Sequence, residues 1–354
     1  MTPEQPPAPG RSAPPPAPSR PPSSAGSPAP TRTVRFAGIG CGRVFQRYHL
    51  PVAAALPAVQ PVGGVDTDPQ RAAGALADHP GAWTGTSVKR LLEEARPDLV
   101  SVCTPNDAHT EPVLAALDAG VAVLCEKPLA DTAGAARRLA EHPAADRLLG
   151  VNLPYRFHEL LVPLRELTAS GAREVTFTFH TAGDRLWRAC TPWYGDARRA
   201  GGGALLDLGP HALDPLLTLF GEPRLRSCRV DSPEVEERAE LELDFDGVPA
   251  LLRVDRASRR LGMTLTVRTR DGDHTLDFRR GQLHLPDDTV LEATEPHPEL
   301  AAITHYFGAH TTGQPHAPGP RPDPQAPPGV VPARDALRLQ TLVETAYAHA
   351  QPFP

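Results

Sequence analysis

The stretch Val34-Arg-Phe-Ala-Gly-Ile-Gly-Cys-Gly-Arg-Val-Phe45 decides the fold of this 354-residue chain. Its apolar first half predicts a buried strand, and Gly40 and Gly42 mark a tight turn into a helix. Glycines at such a junction let a pyrophosphate approach the helix N-terminus closely. The dinucleotide fingerprint is met only in part, because Phe45 stands where a small residue usually packs helix against strand. A purely structural glycine turn is therefore the alternative.

Outward from this turn, apolar runs and helical patterns alternate as far as residue 153. Further strands are predicted at 59–65, 99–103, 121–125 and 148–151, with helical spacing between them. Near-continuous apolar strands separated by helices predict a doubly wound parallel sheet. We therefore predict an α/β domain of the Rossmann type over 33–153.

The pattern changes after residue 153. A helical stretch near 156–170 is followed by strands of period two, beginning with Glu174–His180, and by turn signals such as Asp246-Gly247. This predicts an α+β domain over 154–312 with an open, largely antiparallel sheet. A helix within 333–354 is expected to pack back on the fold.

Two further segments are dominated by proline. Residues 1–32 hold little besides Pro, Ala, Ser and Gly, so we expect a disordered tail that is not a secretory signal. The stretch 313–332 predicts an extended Pro-rich loop.

Composition and charge exclude several classes of function. The net charge of -6 argues against a nucleic-acid partner, and no apolar run approaches the ~20 residues that span a bilayer. Five cysteines without paired spacing predict reduced, buried thiols in a cytoplasmic protein, with neither a metal site nor disulfides.

Lysine is rare in this chain: only Lys89 and Lys127 stand among its 36 basic residues. Lys127 directly follows the apolar run 121–125, so it should lie at the end of a buried strand. A lysine there can shift its pKa and share a proton, whereas an arginine stays charged. A chance surface lysine is the alternative, and it is our interpretation of Lys89.

Asp66 ends the second predicted strand, 26 residues after Gly40. A carboxylate there can bind the adenine-ribose hydroxyls of a dinucleotide and would repel a 2′-phosphate, which favours NAD over NADP. Arg43 and Arg71 lie close enough to weaken that preference. Asp66 could also cap the helix that follows, and both roles can coexist.

The fourth predicted strand ends in Cys103-Thr-Pro-Asn-Asp-Ala-His109. Ligands bind outside the carboxyl ends of such strands. Thr104 and Asn106 could equally be helix caps.

A second informative run is Gly201-Gly-Gly-Ala-Leu-Leu-Asp-Leu-Gly-Pro-His-Ala-Leu-Asp214. Asp207, His211 and Asp214 would share one face of a helix, where the carboxylates could hold the pKa of the histidine near neutral for acid–base chemistry. A capped helix start with a hydrogen-bonded histidine is the alternative. Pro215 could kink the helix.

Together these residues resemble the glucose–fructose oxidoreductase/inositol dehydrogenase/MocA family of NAD(P)-dependent oxidoreductases. The matching motifs, in order, are Gly40-Cys-Gly42, Gln46-Arg-Tyr-His-Leu-Pro51, Val65-Asp-Thr-Asp-Pro69, Thr104-Pro-Asn106 with His109, Ala116-Leu-Asp-Ala-Gly120, Glu126-Lys-Pro-Leu-Ala130 and the glycine-rich run with Asp207 and His211. The resemblance implies a Rossmann domain and an open α/β domain whose sheet often forms oligomer contacts. We therefore expect a homo-oligomer, a dimer or a tetramer.

The resemblance also implies residue roles. Lys127, Asp207 and His211 match the catalytic set: His211 would exchange a proton with the substrate oxygen, Lys127 would stabilise that oxygen, and Asp207 would orient the substrate or the lysine. The implied cofactor-binding residues are Gly40, Gly42, Arg43, Val44, Asp66, Thr104, Pro105, Asn106, His109, Glu126, Lys127 and Pro128. The candidates for substrate binding, with ordinary packing as the alternative, are Asn152, Tyr155, Arg156, Trp187, Arg188 and Trp193, beside Asp207 and His211.

The sequence thus predicts an oxidoreductase that moves hydride between nicotinamide and a hydroxyl or keto carbon of a sugar, cyclitol or related small molecule. NAD(H) is the favoured cofactor, and NADP(H) is possible. Three alternatives stay open: a nucleotide-bound regulator without turnover, an NAD-dependent glycosidase and a reductase of C=N bonds.

Overall fold

The structure is a computed structural model that describes residues 32–169, 171–182, 191–294, 298–312 and 330–354. The predicted tail lies outside these ranges except for its last residue, and so does the predicted Pro-rich loop up to residue 329. Both remain predictions.

The first half of the chain alternates strands and helices, close to the predicted positions. Its elements are β1 (Val34–Ile39), α1 (Leu50–Ala55), β2 (Val59–Val65), α2 (Pro69–Ala75), β3 (Trp83–Gly85), α3 (Val88–Arg90), β4 (Leu99–Val102), α4 (Thr110–Asp118), β5 (Ala122–Glu126), α5 (Ala133–Ala140), α6 (Ala145–Leu148) and β6 (Leu149–Asn152). A π-helical turn, Phe45–His49, leads into α1, and a second one, Leu91–Ala95, follows α3.

The second half carries most of its strands after a long helix. Its elements are α7 (Leu161–Thr168), β7 (Glu174–His180), α8 (Ala197–Ala200), α9 (Ala204–Phe220), β8 (Arg224–Val230), β9 (Arg238–Phe245), β10 (Val248–Asp255), β11 (Gly262–Arg268), β12 (Asp273–Asp277), β13 (Gln282–His284), β14 (Val290–Glu292), α10 (Pro298–Thr311), β15 (Val331–Pro332), α11 (Ala333–Ala348) and β16 (Ala350–Pro352). Despite Pro210 and Pro215, α9 continues through 17 residues.

The first sheet has the order β15-β6-β5-β4-β1-β2-β3, in which β1 to β6 run parallel and β15 runs antiparallel to β6. This is the strand order of a dinucleotide-binding doubly wound sheet, and it confirms the predicted fold class. Ile39 pairs with both Val65 and Val102, and Glu126 pairs with Asn152. The carboxyl ends of β1, β2, β4, β5 and β6 therefore meet along one edge.

The second sheet has nine strands in the order β14-β13-β12-β11-β7-β10-β9-β8-β16. Only the pairs β7–β10 and β8–β16 are parallel. The predicted open, largely antiparallel sheet is confirmed.

Two late helices return to the first sheet. The hydroxyl of Tyr306 in α10 donates to the carbonyl of Val123 in β5 at 2.9 Å, and Glu344 in α11 accepts from the amide of Ala133 in α5 at 2.8 Å. Helix α10 lies in a stretch for which the sequence pattern predicted no helix. The strands β1 to β6 precede residue 153 and the second sheet follows it, but β15 of the first sheet and the helices α10 and α11 come from later in the chain.

Phe45 departs from the usual small residue of the glycine turn, and the structure shows how it fits. Its ring is fully buried and packs against Gly38 in β1, where a Cβ atom would lie 2.4 Å from the ring. The small residue of this helix–strand contact thus stands on the strand instead of the helix. The fold accommodates Phe45 without losing the turn.

Two general expectations concern cysteines and membranes. Cys41, Cys103, Cys125 and Cys228 are free thiols, and Cys190 lies outside the described residues. Within the described ranges, no helix combines the length and the apolar character that crossing a membrane requires.

Candidate active site

The glycine turn lies at the carboxyl edge of the first sheet. Gly40 has φ +85°, and a Cβ atom there would lie 2.8 Å from the backbone of Cys103 and Thr104. Gly40 therefore lets the loops after β1 and β4 touch. A Cβ atom on Gly42 would meet nothing within 4 Å, so the turn faces open space there. This space above a helix N-terminus fits the close approach of a pyrophosphate.

Asp66 follows β2 and ties the glycine turn to α2. Its carboxylate accepts hydrogen bonds from the amides of Cys41 and Asp68, both at 3.0 Å, and from Arg71 Nη1 at 2.6 Å. Asp68, not Asp66, is the residue that caps α2, because its side chain accepts from the amide of Gln70. Asp66 thus lies at the carboxyl end of β2 with an arginine already beside it, and its contact with a ribose stays a prediction.

The loop after β4 holds four predicted cofactor residues, and the hydrogen bonds of their side chains go to backbone carbonyls of this chain. Thr104 Oγ1 donates to the carbonyl of Ala108, and Asn106 Nδ2 donates to the carbonyl of Ala200 at 2.7 Å. Neither side chain caps a helix, so the capping alternative is wrong for both. Pro105 directly precedes the short turn that Asn106 opens.

His109 is buried between two strand-end loops. Its Nδ1 lies 2.9 Å from the carbonyl of Pro128, and its Nε2 lies 2.9 Å from the carbonyl of Thr104. Burial lowers the pKa of His109, and a neutral imidazole can donate to only one of these carbonyls. The structure shows His109 joining the loops after β4 and β5, and its contact with a cofactor stays a prediction.

Lys127 and Asp207 form the centre of the candidate site. Lys127 follows β5, and its Nζ donates to Asp207 Oδ1 at 2.7 Å and to the carbonyl of Asp207 at 2.9 Å. The two side chains are 16% and 17% exposed, so a small molecule can reach them. Lys89, in contrast, is an 82% exposed surface lysine. The rare lysine at the strand end is therefore the one that pairs with α9.

The glycine run before Asp207 is explained by the packing of the N-terminus of α9. The carboxylate of Glu236 accepts from the amides of Gly203 at 3.0 Å and Leu205 at 2.7 Å. A Cβ atom on Gly203 would lie 2.1 Å from the carbonyl oxygen of Glu236, so only glycine fits. The hydroxyl of Tyr347 in α11 accepts from the amides of Gly203 and Leu206. A distant carboxylate and a phenol thus cap the helix and fix Asp207 in its first turn.

His211 lies one turn after Asp207 on α9. Its Nδ1 is buried without a hydrogen-bond partner among the described residues, and its ring packs edge-on against Tyr155 at a centroid distance of 5.1 Å. Burial and the Lys127 ammonium lower the pKa of His211 to about 3. The expected near-neutral pKa is therefore wrong for this state, because the sequence did not show how deeply the ring is buried.

Glu126 precedes Lys127 and anchors a buried polar network. Its Oε1 accepts from Asn152 Nδ2 and lies 2.8 Å from His49 Nε2, while His49 Nδ1 lies 2.8 Å from Ser101 Oγ. Burial alone would raise the pKa of Glu126, but His49 and Asn152 outweigh it and lower the pKa to about 2. Asn152 Oδ1 is buried and has no partner within the described residues, so it can accept a hydrogen bond from a bound molecule.

Arg156, a predicted substrate residue, lies in a buried ion-pair cluster. Its Nε is 2.8 Å from Asp214 Oδ2, its Nη2 also donates to Asp214, and its Nη1 is 2.8 Å from Asp335 in α11. Arg156 is 8% exposed and Asp214 is 1% exposed. This Arg156 cluster (Arg156, Asp214 and Asp335) joins β6, α9 and α11, and a substrate contact of Arg156 stays a prediction.

The structure describes two of the other four predicted substrate residues. Tyr155 donates its hydroxyl to Glu299 of α10 and lies against His211. Trp193 is partly exposed and packs edge-on against Tyr194. Trp187 and Arg188 lie outside the described residues.

Sequence reasoning missed two residues that touch the site. Tyr194 donates its hydroxyl to Asp207 Oδ2, and His49 contacts Glu126. The available signals were a histidine within the matched motif Gln46–Pro51 and a tyrosine shortly before the glycine run. Neither indicates its partner: His49 lies 77 positions from Glu126, and the 13 positions between Tyr194 and Asp207 cross a turn and the short helix α8.

Comparisons with known proteins agree with this geometry. The family model described as oxidoreductase family, NAD-binding Rossmann fold, matches residues 34–151, and that of the GFO/IDH/MocA C-terminal domain matches 162–273. The chain is similar to D-glucoside 3-dehydrogenase of Escherichia coli, with 32% identity over 206 residues, 56% of this chain and 57% of that protein. It is also similar to inositol 2-dehydrogenase 2 of Saccharopolyspora erythraea, with 33% identity over 141 residues, 39% of this chain and 42% of that protein. The matches thus span about half the length, or less, of these curated relatives.

Solved structures show the same fold over nearly the whole chain. GenD2 from gentamicin A biosynthesis, in complex with NAD, aligns with TM-score 0.71 and 23% identity over 92% of this chain and 97% of that one. KijD10, a 3-ketoreductase from Actinomadura kijaniata in complex with NADP and TDP-benzene, aligns with TM-score 0.73 and 21% identity over 91% and 100%. The two family models together match more than half of the sequence, and the chain belongs to the Gfo/Idh/MocA family of oxidoreductases.

Proposed function

We propose that this chain is an NAD(P)-dependent oxidoreductase that acts on a hydroxyl or keto carbon of a sugar, a cyclitol or a related metabolite. The observation that carries the proposal is the accessible Lys127–Asp207 pair, with His211 beside it, at the sheet edge that also holds the open glycine turn. Two similar proteins, D-glucoside 3-dehydrogenase and inositol 2-dehydrogenase 2, act on ring hydroxyls according to their names, which supports a secondary ring hydroxyl as the target.

The residues of the first sheet fit a dinucleotide. Gly40, Gly42 and Val44 would seat the pyrophosphate, Asp66 would accept from the ribose, and Glu126, Lys127 and Pro128 would lie along the nicotinamide. The bound nicotinamide would supply the hydride acceptor or donor. Asp66 supports NAD(H) as the preferred cofactor, while Arg71 next to it leaves room for NADP(H).

Lys127 is suited to bind a substrate oxygen. An ammonium has three donors, and Asp207 takes two of them. The third can donate to the oxygen of the hydroxyl or keto group and stabilise negative charge that develops there. Asp207 would fix the direction of that donor.

His211 is suited to move the proton. Because burial and the Lys127 ammonium lower its pKa, it is neutral in this state and a weak base, and it would accept a proton from a substrate hydroxyl as negative charge develops on the substrate oxygen. The Lys127 ammonium lowers the pKa of His211. Once the ammonium donates to an oxygen anion, the negative charge of that anion would offset its effect on His211. Proton transfer to His211 is then expected to become easier as the reaction proceeds.

The test starts with cofactor binding and continues with turnover. Purified protein is titrated with NADH and NADPH while the nicotinamide fluorescence is followed, and it is then assayed by NADH absorbance against polyols, aldoses and keto sugars. We expect binding of at least one cofactor, tighter for NADH, and turnover of a ring hydroxyl. Absence of binding of both cofactors would refute the proposal. Binding without turnover would favour a regulator, and release of a leaving group without net NADH change would favour a glycosidase.

Three further expectations belong to the proposal. A homodimer or homotetramer is supported by the nine-stranded open sheet, which offers a broad surface. The negative net charge supports a protein without nucleic-acid partners, and the unpaired thiols support a cytoplasmic location. Sedimentation of the purified protein would test the first expectation.

A further inference from the structure

Asp207 uses both carboxylate oxygens, and only one of them binds Lys127. Its Oδ1 accepts from Lys127 Nζ at 2.7 Å, and its Oδ2 accepts from the hydroxyl of Tyr194. Tyr194 lies in the short turn Pro192–Gly195, directly before the residue that caps α8. The carboxylate is therefore held from two sides, by the first sheet and by the segment that precedes the glycine run.

The ring of Tyr194 is itself held in place. The guanidinium of Arg256 lies over it, 5.2 Å from the ring centroid, a distance at which a cation attracts an aromatic face. Arg256 follows β10, is 4% exposed, and makes two hydrogen bonds of 3.1 Å to Glu237. Tyr194 is thus anchored from the second sheet and presents its hydroxyl to Asp207.

The charged, titratable and hydrogen-bonding groups around Asp207 come from four elements. They are Lys127 after β5 with Glu126 beside it, His211 on α9, Tyr194 in its turn and Arg256 after β10. Burial alone would raise the pKa of Asp207, but the Lys127 ammonium and the hydrogen bonds from Lys127 and Tyr194 hold it below its ordinary value. The Tyr194 hydroxyl is the one neutral donor in this set.

We propose that Tyr194 is a positioning residue: its hydroxyl keeps Asp207 ionised and fixed on Lys127, which leaves the third ammonium donor directed at the substrate. The consequence for catalysis rests on the proposed function. The hydrogen-bond chain Tyr194–Asp207–Lys127 does not depend on that function, and it can be measured without turnover.

The scarcity of lysine makes the measurement direct. Protein labelled with [13Cε]lysine gives two ε-methylene resonances, one from Lys127 and one from the exposed Lys89, which serves as an internal reference. Protonation of Asp207 at acid pH changes the charge next to Lys127 and should move only the Lys127 resonance. We call this movement of the Lys127 resonance the acid step. In Tyr194→Phe the acid step should occur at a pH about one unit higher than in the wild type, because one hydrogen bond to the ionised carboxylate is lost.

Tyr306→Phe is the matched control. It also deletes one hydroxyl of a buried tyrosine, which donates to the carbonyl of Val123 in β5, away from Asp207. We expect Tyr306→Phe to lower the melting temperature and to leave the acid step of Lys127 where it is in the wild type. Arg256→Met keeps the Tyr194 hydroxyl, frees its ring and removes a cation that also acts on Asp207, so it should move the acid step to higher pH as well, by less than Tyr194→Phe.

Kinetics provide the second readout. With a substrate found in the panel above, the acid limb of kcat/KM should move to higher pH in Tyr194→Phe, with kcat about tenfold lower and KM little changed. An unmoved acid step in both Tyr194→Phe and Arg256→Met overturns the inference even if the enzyme is active. A moved step in a protein that turns over no substrate supports the inference and counts against the proposed function instead.

Discussion

Helix α9 carries two ion pairs that are built in the same way but differ in their exposure to solvent. At each, an aspartate of α9 meets a cation that follows a strand of the first sheet: Lys127 after β5 with Asp207, and Arg156 after β6 with Asp214. The Lys127 cluster (Lys127, Asp207, Tyr194 and His211) is partly accessible. The Arg156 cluster is buried, with Asp214 only 1% exposed.

The choice of cation separates the two roles. A guanidinium offers five donors in a rigid plane, and in the Arg156 cluster two carboxylates use all three of its nitrogens. Within the described ranges, the Lys127 ammonium keeps one donor unused, and a ring nitrogen of His211 beside it has no partner. The Arg156 cluster is buried and joins elements, whereas the Lys127 cluster is partly exposed and has an ammonium donor and an imidazole nitrogen left to bind a substrate.

The largest expected effect is on the stability of the Arg156 cluster. Asp214→Ala leaves a buried guanidinium with one carboxylate, and we expect it to lower the free energy of unfolding by about 3–5 kcal/mol. Asp335→Asn, which leaves Arg156 paired with Asp214, should cost about 1 kcal/mol. Denaturation in urea, followed by circular dichroism, measures both.

Asp244→Ala is the matched control, because it removes an aspartate that pairs with Arg226 at the surface. The variant also loses the hydrogen bond from the Gly247 amide, so it should lower the free energy of unfolding slightly, well short of the effect of Asp214→Ala. If Asp214→Ala proved as mild as Asp244→Ala, the Arg156 cluster would not be structural, and its predicted substrate role would gain weight.

The second prediction concerns activity at the Lys127 cluster. Lys127→Ala removes the donor to the substrate oxygen and should lower kcat by about 10²–10³-fold. Lys127→Arg should also be impaired, because a guanidinium is larger and does not share its proton. Both variants should lose less stability than Asp214→Ala, since Lys127 and Asp207 retain contact with water.

Lys89→Ala is the control, since it removes the other lysine of the chain from an exposed helix position. Its kcat and its melting temperature should equal those of the wild type. Full activity in Lys127→Arg would mean that the site needs only a positive charge, and the contrast between the two clusters would then rest on burial alone.

The sequence predicted much of the site because its strongest signals are local. Gly40 and Gly42 follow an apolar run, Lys127 directly follows another, and both positions need only the rule that ligands bind at the carboxyl ends of parallel strands. Contacts between residues far apart in sequence could not be predicted. Arg156 lies 179 positions from Asp335, and the hydroxyl of Tyr306 reaches back 183 positions to β5.

Apart from the 14-residue helix α10, the elements that were not predicted are short. The strands β15 and β16 have two and three residues and contain Pro332 and Pro352, as is typical of edge strands, and no periodicity can be seen in so few positions.

The near-neutral pKa expected for His211 was wrong for a related reason. The spacing of Asp207 and His211 shows that they share a helix face, but the burial that lowers the pKa comes from Tyr155 and Phe179 on other elements.

The smallest expected effect is the response of the two clusters to acid. The pKa of His211 falls from 6.5 to about 3 on folding, so between these values the unfolded chain binds a proton that the folded chain does not. Stability must therefore decrease as the pH falls through and below 6.5. The Arg156 cluster consists of arginine and aspartates and contains no group of this kind. In His211→Gln, the loss of stability between about pH 7.5 and pH 5.5 should be smaller than in the wild type by about 1 kcal/mol.

Urea denaturation of both proteins at the two pH values measures this difference. His158, whose pKa burial lowers to about 4, makes the wild type and the variant respond alike, so its contribution cancels in the comparison. Curves that stay parallel would mean that His211 gains a partner or water in solution and is not held neutral. His211 would then have no ring nitrogen left for a substrate, and the acid–base role proposed for it would lose its physical basis.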